Sequence, residues 1–131
     1  MRKSSLVFVG LLAFGAASTA SSECGLATLK GGYLYNDTGF VGEPSMPYAE
    51  SGMTVYDGQG GIQNTYADNI DGSIRQQSGK YVVNADCTGT ATYGDHSYNL
   101  FISPDGSMLT TIMKSGASKV TISGSETRVA K

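Results

Sequence analysis

Turn signals break the chain at short intervals from residue 31 onward, and the stretches between them alternate polar with apolar residues. Asp57-Gly58-Gln59-Gly60, Asn69-Ile70-Asp71-Gly72, Asp86-Cys87-Thr88-Gly89, Gly94-Asp95-His96 and Pro104-Asp105-Gly106 all have turn chemistry. The intervening residues are rich in Val, Ile, Tyr and Thr, which suit a pleated, half-buried surface. No window of about a dozen residues after residue 20 carries an apolar stripe at helical spacing. The chain is therefore left with short β-strands and tight turns.

Strands are expected over residues 32–36, 49–56, 62–68, 73–77 continuing as 80–84, 90–93, 97–103, 108–114 and 119–128. Residues 26–29 allow one irregular turn before the first strand. Residues 39–47 read as a loop, because Pro44 and Pro47 cannot donate to a central ladder. Gly79 is either a bulge or a strand break. About eight consecutive strands with short connections favour an all-β, antiparallel up-and-down barrel, since closure removes the sheet edges. A two-sheet β-sandwich is the runner-up.

Residues 1–20 have a different character. Met1-Arg2-Lys3 is basic, residues 6–17 are apolar apart from Gly10 and Gly15, and Ser18-Thr19-Ala20 offers small residues for cleavage. This is the pattern of a secretory signal peptide cut after Ala20. A spanning helix needs about 20 apolar residues, and Ser21-Ser22-Glu23 stands where a lipoprotein would carry its cysteine. The remainder, residues 21–131, is one domain by length, with a secreted or periplasmic destination. Without Arg2 and Lys3 it holds seven Lys/Arg against eleven Asp/Glu, and no basic run, so nothing in it suits nucleic acid. Two cysteines in an exported chain point to one disulfide, Cys24–Cys87, in preference to two free thiols.

The constellations that carry chemistry are missing from the sequence. His96 is the single histidine, which excludes a multi-histidine zinc site. There is no Gly-x-Ser-x-Gly elbow, and His96 reads as a solvated turn residue. Asp68 to Gly72 is similar to part of a calcium loop, but Ala67 and Ser78 occupy its first and twelfth positions, so it lacks both terminal carboxylates. Asn36-Asp37-Thr38 fits a glycosylation sequon. No catalytic residue, metal ligand or cofactor is assigned.

Tyrosine is the remaining interest. Tyr33, Tyr35, Tyr56, Tyr66, Tyr81, Tyr93 and Tyr98 lie on expected strands, and a barrel should send about half of them inward. Inward tyrosines can line a pocket with apolar bodies and a few hydroxyls. The candidate lining residues are Tyr33, Tyr35, Tyr56, Tyr81, Leu100 and Ile102. The plainer reading has the tyrosines fill the barrel with Leu100, Ile102, Leu109, Ile112, Val120 and Ile122; an eight-stranded barrel has room for side chains alone or for one small ligand.

One stretch carries a family resemblance. Cys24, Gly32-Tyr33, Tyr56-Asp57-Gly58-x-Gly60 and the hairpin Gly79-x-Tyr81-x-Val83-Asn84-x-Asp86-Cys87-Thr88-Gly89-Thr90 resemble a large group of uncharacterised secreted bacterial proteins, and the closing Ser123-Gly124…Arg128 fits too. Tyr56 and Lys80 stand where that group usually has phenylalanine and threonine. The group is similar to the calycin-like barrels, including the allene oxide cyclase type. The resemblance implies a barrel with its two cysteines paired and supplies no catalytic residues.

Three functions stay open on these grounds. The first is an exported barrel binding a small, largely apolar ligand. The second is a structural or surface-interaction protein of the cell envelope or extracellular matrix. The third is a cyclase or isomerase, which rests on fold analogy alone; the balance leans away from an enzyme.

Overall fold

In the computed structural model, residues 23–114 and 120–131 are described. The expected signal peptide and the turn at residues 115–117 lie outside them. A single 3₁₀ turn, Leu26–Thr28, leads into eight strands: β1 Lys30–Val41, β2 Met46–Asp57, β3 Gly61–Asp68, β4 Arg75–Val83, β5 Thr88–Tyr93, β6 His96–Ile102, β7 Met108–Met113 and β8 Thr121–Ala130. Each strand pairs antiparallel with the next, and β8 returns to pair with β1, so the sheet is a closed up-and-down barrel. That closure excludes the sandwich.

The first hairpin is longer than its prolines suggest. β1 and β2 pair from Lys30–Asp57 out to Val41–Met46, so Pro47 lies inside β2 opposite Phe40. Proline is tolerated there because it falls at the start of the strand. β4 runs unbroken, with Gly79 opposite Ile62 and Lys80 opposite Thr92. Gly79 is neither bulge nor break. A Cβ at this position would sit 2.7 Å from the Tyr93 ring, so the missing side chain makes room for that tyrosine.

The two ends of the barrel are built differently. At one end, residues 23–29 fold across the opening and Leu29 is completely buried. The Tyr81 hydroxyl reaches the Leu26 and Leu29 carbonyls at 2.8 and 2.9 Å, and Arg128 Nη2 donates to the Thr28 carbonyl at 2.9 Å. Beneath this plug Tyr33, Tyr56 and Tyr81 pack edge to face, each adjacent pair of centroids 5.1 Å apart. Such pairs add about 0.5–1.5 kcal/mol each beyond their buried area. Ile62, Leu100, Ile102 and Leu109 complete the cluster. This half is solid.

The disulfide Cys24–Cys87 fastens the plug to the β4–β5 corner, and Cys24 N–H also donates to the Ala85 carbonyl. Cys87 takes a left-handed backbone at φ 66°. The corner is held by Asp86, whose Oδ1 accepts from the Thr88 amide at 3.1 Å and the Thr88 hydroxyl at 2.6 Å. Among the described residues no helix is long and apolar enough to cross a membrane.

One expected core residue falls on the wrong side. Leu109 is buried but Ile112 is 45% exposed, because the two-residue period of a strand cannot send both inward. Thr111 occupies the inward position instead.

The cross-link closes a loop of 63 residues, which the chain-entropy model values at about 4 kcal/mol. Replacing Cys24 and Cys87 together by serine should therefore lower the urea-unfolding free energy by roughly 3–4 kcal/mol without changing the strand content seen by circular dichroism.

Candidate functional site

The inward positions change character towards the other end of the barrel. All eight tyrosines, not half of them, lie on inward-facing positions; Tyr48 and Tyr66 line the mouth, while Tyr35, Tyr93 and Tyr98 stand between mouth and core. The same alternation brings in carboxylates. Asp37 follows Tyr33 and Tyr35 along β1, Glu50 faces in from β2, Asp68 from β3 and Glu126 from β8.

Two neighbouring spaces with shared walls result. The inner one is small, about 20 Å³, and is bordered by Asp37, Glu50, Asn64, Thr111 and Glu126 together with Tyr35, Tyr93, Tyr98 and Leu100. The outer one, about 210 Å³, opens to solvent between Tyr48, Tyr66, Ile70, Met113, Val120 and Ile122. Glu50, Gln77, Tyr93 and Tyr98 are walls of both. Of the six residues picked out by sequence, Tyr35 and Leu100 border the inner space. Tyr33, Tyr56, Tyr81 and Ile102 also face inward but belong to the solid half. His96 sits exposed at the rim of the outer space, its Nδ1 2.7 Å from Asp95 Oδ1.

Hydroxyl donors hold part of the acidic group. Tyr35 and Tyr48 donate to the two oxygens of Glu50, and Asn64 Nδ2 donates to the Tyr35 hydroxyl at 3.0 Å. The Tyr56 hydroxyl lies 3.1 Å from both oxygens of Glu126. Asp68 pairs with Arg75 at the rim. Among the described residues Asp37, Glu50 and Glu126 have no such cationic partner.

Asp37 Oδ1, Asn64 Oδ1 and Thr111 Oγ1 are buried without a hydrogen-bond partner, and all three residues border the inner space. Their side chains sit in residues only 8%, 4% and 7% exposed. An unsatisfied buried polar group costs about 1–3 kcal/mol, so three around one cavity is an unusual concentration. Asp37 is given its place by Gly124 opposite: a Cβ there would lie 1.8 Å from Asp37 Oδ1.

Burial, and then the charge of Glu50, raises the Asp37 carboxyl to about 7. Burial raises Glu126 to about 7 as well, against the hydrogen bond from Tyr56 and with help from Asp37. Tyr35, Tyr56, Tyr93 and Tyr98 are pushed upward by burial and remain hydroxyl donors at neutral pH. The turn carboxylates go the other way. Asp57, Asp71, Asp86 and Asp105 are held low by hydrogen bonds from Gln59, Ser73, Thr88 and Ser107, Asp105 to about 2.

Sequence reasoning missed Asp37, Glu50, Thr54, Asn64, Thr111 and Glu126 as cavity residues. The signal was present, because each shares inward parity with a hydrophobic residue already placed in the barrel, as Asp37 does with Tyr35. A polar side chain on a strand is ordinarily given to solvent, and that habit hid them. Among the described residues, no group of three or more His, Cys, Asp or Glu is arranged to hold a metal ion.

The chain matches no family model, curated protein or solved structure. The closed barrel and the disulfide are consistent with a calycin-like barrel.

The raised carboxyls set a pH dependence with a definite sign. Between their usual values of 3.8 and 4.5 and about 7, the folded protein holds protons that the unfolded chain has released. Stability therefore falls as pH rises through that window. The thermal midpoint should drop between about pH 5 and pH 8, and Asp37→Asn should flatten that drop and raise the midpoint at pH 8. A wild-type midpoint independent of pH over this range would contradict the assignment.

Proposed function

We propose that the protein is an exported binding barrel that takes a small organic molecule through its open end. The carrying observation is the asymmetry of the interior: one half is packed solid, while the other keeps three unpartnered buried polar atoms around a small inner space, beside an outer space that opens to solvent. Buried polar atoms of this kind are ordinarily paired, so these three are placed to meet a polar group that enters the space.

Export is supported by the basic-apolar-small pattern of residues 1–20 and by the disulfide, which persists in oxidising compartments. The ligand is small, since the outer space of about 210 Å³ lies below the roughly 300–1,000 Å³ usual for drug-sized ligands. It is also amphipathic instead of largely apolar: the outer walls pair aromatic rings with Ile70, Met113 and Ile122, and the inner walls are polar. Tyr35 and Leu100 keep their place as lining residues in this reading, and Tyr33, Tyr56, Tyr81 and Ile102 form the floor that supports them.

The test is uptake of a fragment set of substituted benzenes and short aliphatic molecules, followed by native mass spectrometry and calorimetry. Ligand at about a hundred times its Kd should stabilise the fold by roughly 2.7 kcal/mol. Met113→Trp, which narrows the outer space, should weaken every positive fragment at unchanged unfolding free energy. A protein that takes up none of the set at millimolar concentration is not a binding barrel.

A further inference from the structure

We infer that the open half of the barrel is a site for a primary ammonium ion carried on a small aromatic or aliphatic body, with Asp37 at its centre. The inference deepens the binding reading above and rests on it.

The inner space has a consistent chemical deficit. Asn64 uses its amide nitrogen on the Tyr35 hydroxyl, so the oxygen left facing the cavity is an acceptor. Asp37 Oδ1 is an acceptor, and Thr111 Oγ1 can be one. Glu50 and Glu126 border the same space. No lysine, arginine or histidine lines it, and Arg75 is engaged with Asp68 at the rim. Hydroxyl donors are present on Thr111 and on the tyrosines, and what the inner space lacks is a positive charge to face its carboxyls.

A water molecule would supply donors but leave the carboxylates uncompensated. An ammonium group supplies three N–H donors and a full charge. At about 20 Å³ the inner space holds one group the size of a water molecule, which admits –NH₃⁺ and excludes a trimethylammonium head. The absence of any metal-holding group of acids among the described residues points away from a multivalent ion.

The outer space suits the rest of such a molecule. Tyr48, Tyr66, Tyr93 and Tyr98 present rings and Ile122 and Met113 present apolar surface. Aromatic faces also attract a cation passing inward.

Binding should be linked to protons. The groups facing Asp37 are Tyr35 on its own strand, Glu50 on β2, Tyr93 on β5, Tyr98 on β6 and Glu126 on β8, while β7 contributes only the neutral Thr111. Glu50 and Glu126 disfavour the ionised Asp37, and an ammonium ion favours it. Carboxyls raised to about 7 should then release protons on binding, and affinity should rise from about pH 6 to pH 8.

The experiment compares phenethylamine with phenethyl alcohol, phenylacetate and trimethyl(phenethyl)ammonium by calorimetry at about pH 7.5, in two buffers of different ionisation enthalpy. Phenethylamine should bind at least about tenfold more tightly than the other three and release protons. Asp37→Asn and Glu126→Gln should each cost about tenfold or more in phenethylamine affinity. Asp37→Asn should be as stable as the parent or more so at that pH, so its loss of binding is not loss of fold. If the alcohol, the acid or the trimethylated cation binds as tightly as the amine, or if Asp37→Asn retains full affinity, the ammonium site is overturned while the binding barrel stands. If none of the four binds and the fragment set above is also refused, both are overturned.

Discussion

Pairing of β1 with β8 leaves the molecule a single interior, and the two-residue period of a strand assigns every second side chain to it. Everything else follows from what those positions carry. Tyr33, Tyr35 and Asp37 are consecutive inward residues of β1; Thr54, Glu50 and Tyr48 are inward on β2. A one-residue slip of either strand would turn its two tyrosines outward and bury its outward row. The hairpin register therefore fixes the core and the acidic cavity together, and neither can be altered without the other.

The two halves of the interior answer to different forces. Near the plug, each tyrosine hydroxyl finds a fixed partner: Tyr33 donates to the Gly106 carbonyl at 2.5 Å and accepts from Arg128 Nε at 2.9 Å, and Tyr81 reaches the 3₁₀ turn. Their ring bodies pack against one another and their polar tips are satisfied, so nothing is left over. Towards the mouth the hydroxyls of Tyr35, Tyr48 and Tyr56 go to carboxylates instead. These donors solvate charge where water is scarce, but they do not reach Asp37, which stands beyond them with Oδ1 unpartnered.

The barrel was legible because turn chemistry is local. Asp57-Gly58, Asp71-Gly72 and Pro104-Asp105-Gly106 announce their corners regardless of what the strands face, and strand order follows from short connections. The first hairpin was underestimated at Pro47 because a proline at a strand's start obeys a different rule from one at its centre. The cavity was less legible. Parity decides which side chains face inward, and Asp37, Glu50 and Glu126 obeyed parity against their own preference for water. A local rule that reads Asp, Glu and Asn as exposed fails where strand parity carries them into the interior. Ile112 failed in the mirror sense, since its hydrophobicity spoke for burial and its parity for solvent.

Keeping Asp37 and Glu126 inside has a thermodynamic consequence that explains the layout. Buried carboxylates without a cationic partner weaken a fold, and apolar replacements of similar size are often neutral or stabilising. This domain carries the burden on the mouth side of its tyrosine stack, where Glu126 still accepts from Tyr56. Stability concentrated at one end lets the other remain incompletely satisfied while the strands stay in register. The inner space is then shaped by rigid strands on every side, so a group that enters meets acceptors already in place and need not order them. Proteins commonly give up stability at the site where they act, and in this barrel the loss is confined to the half that opens to solvent.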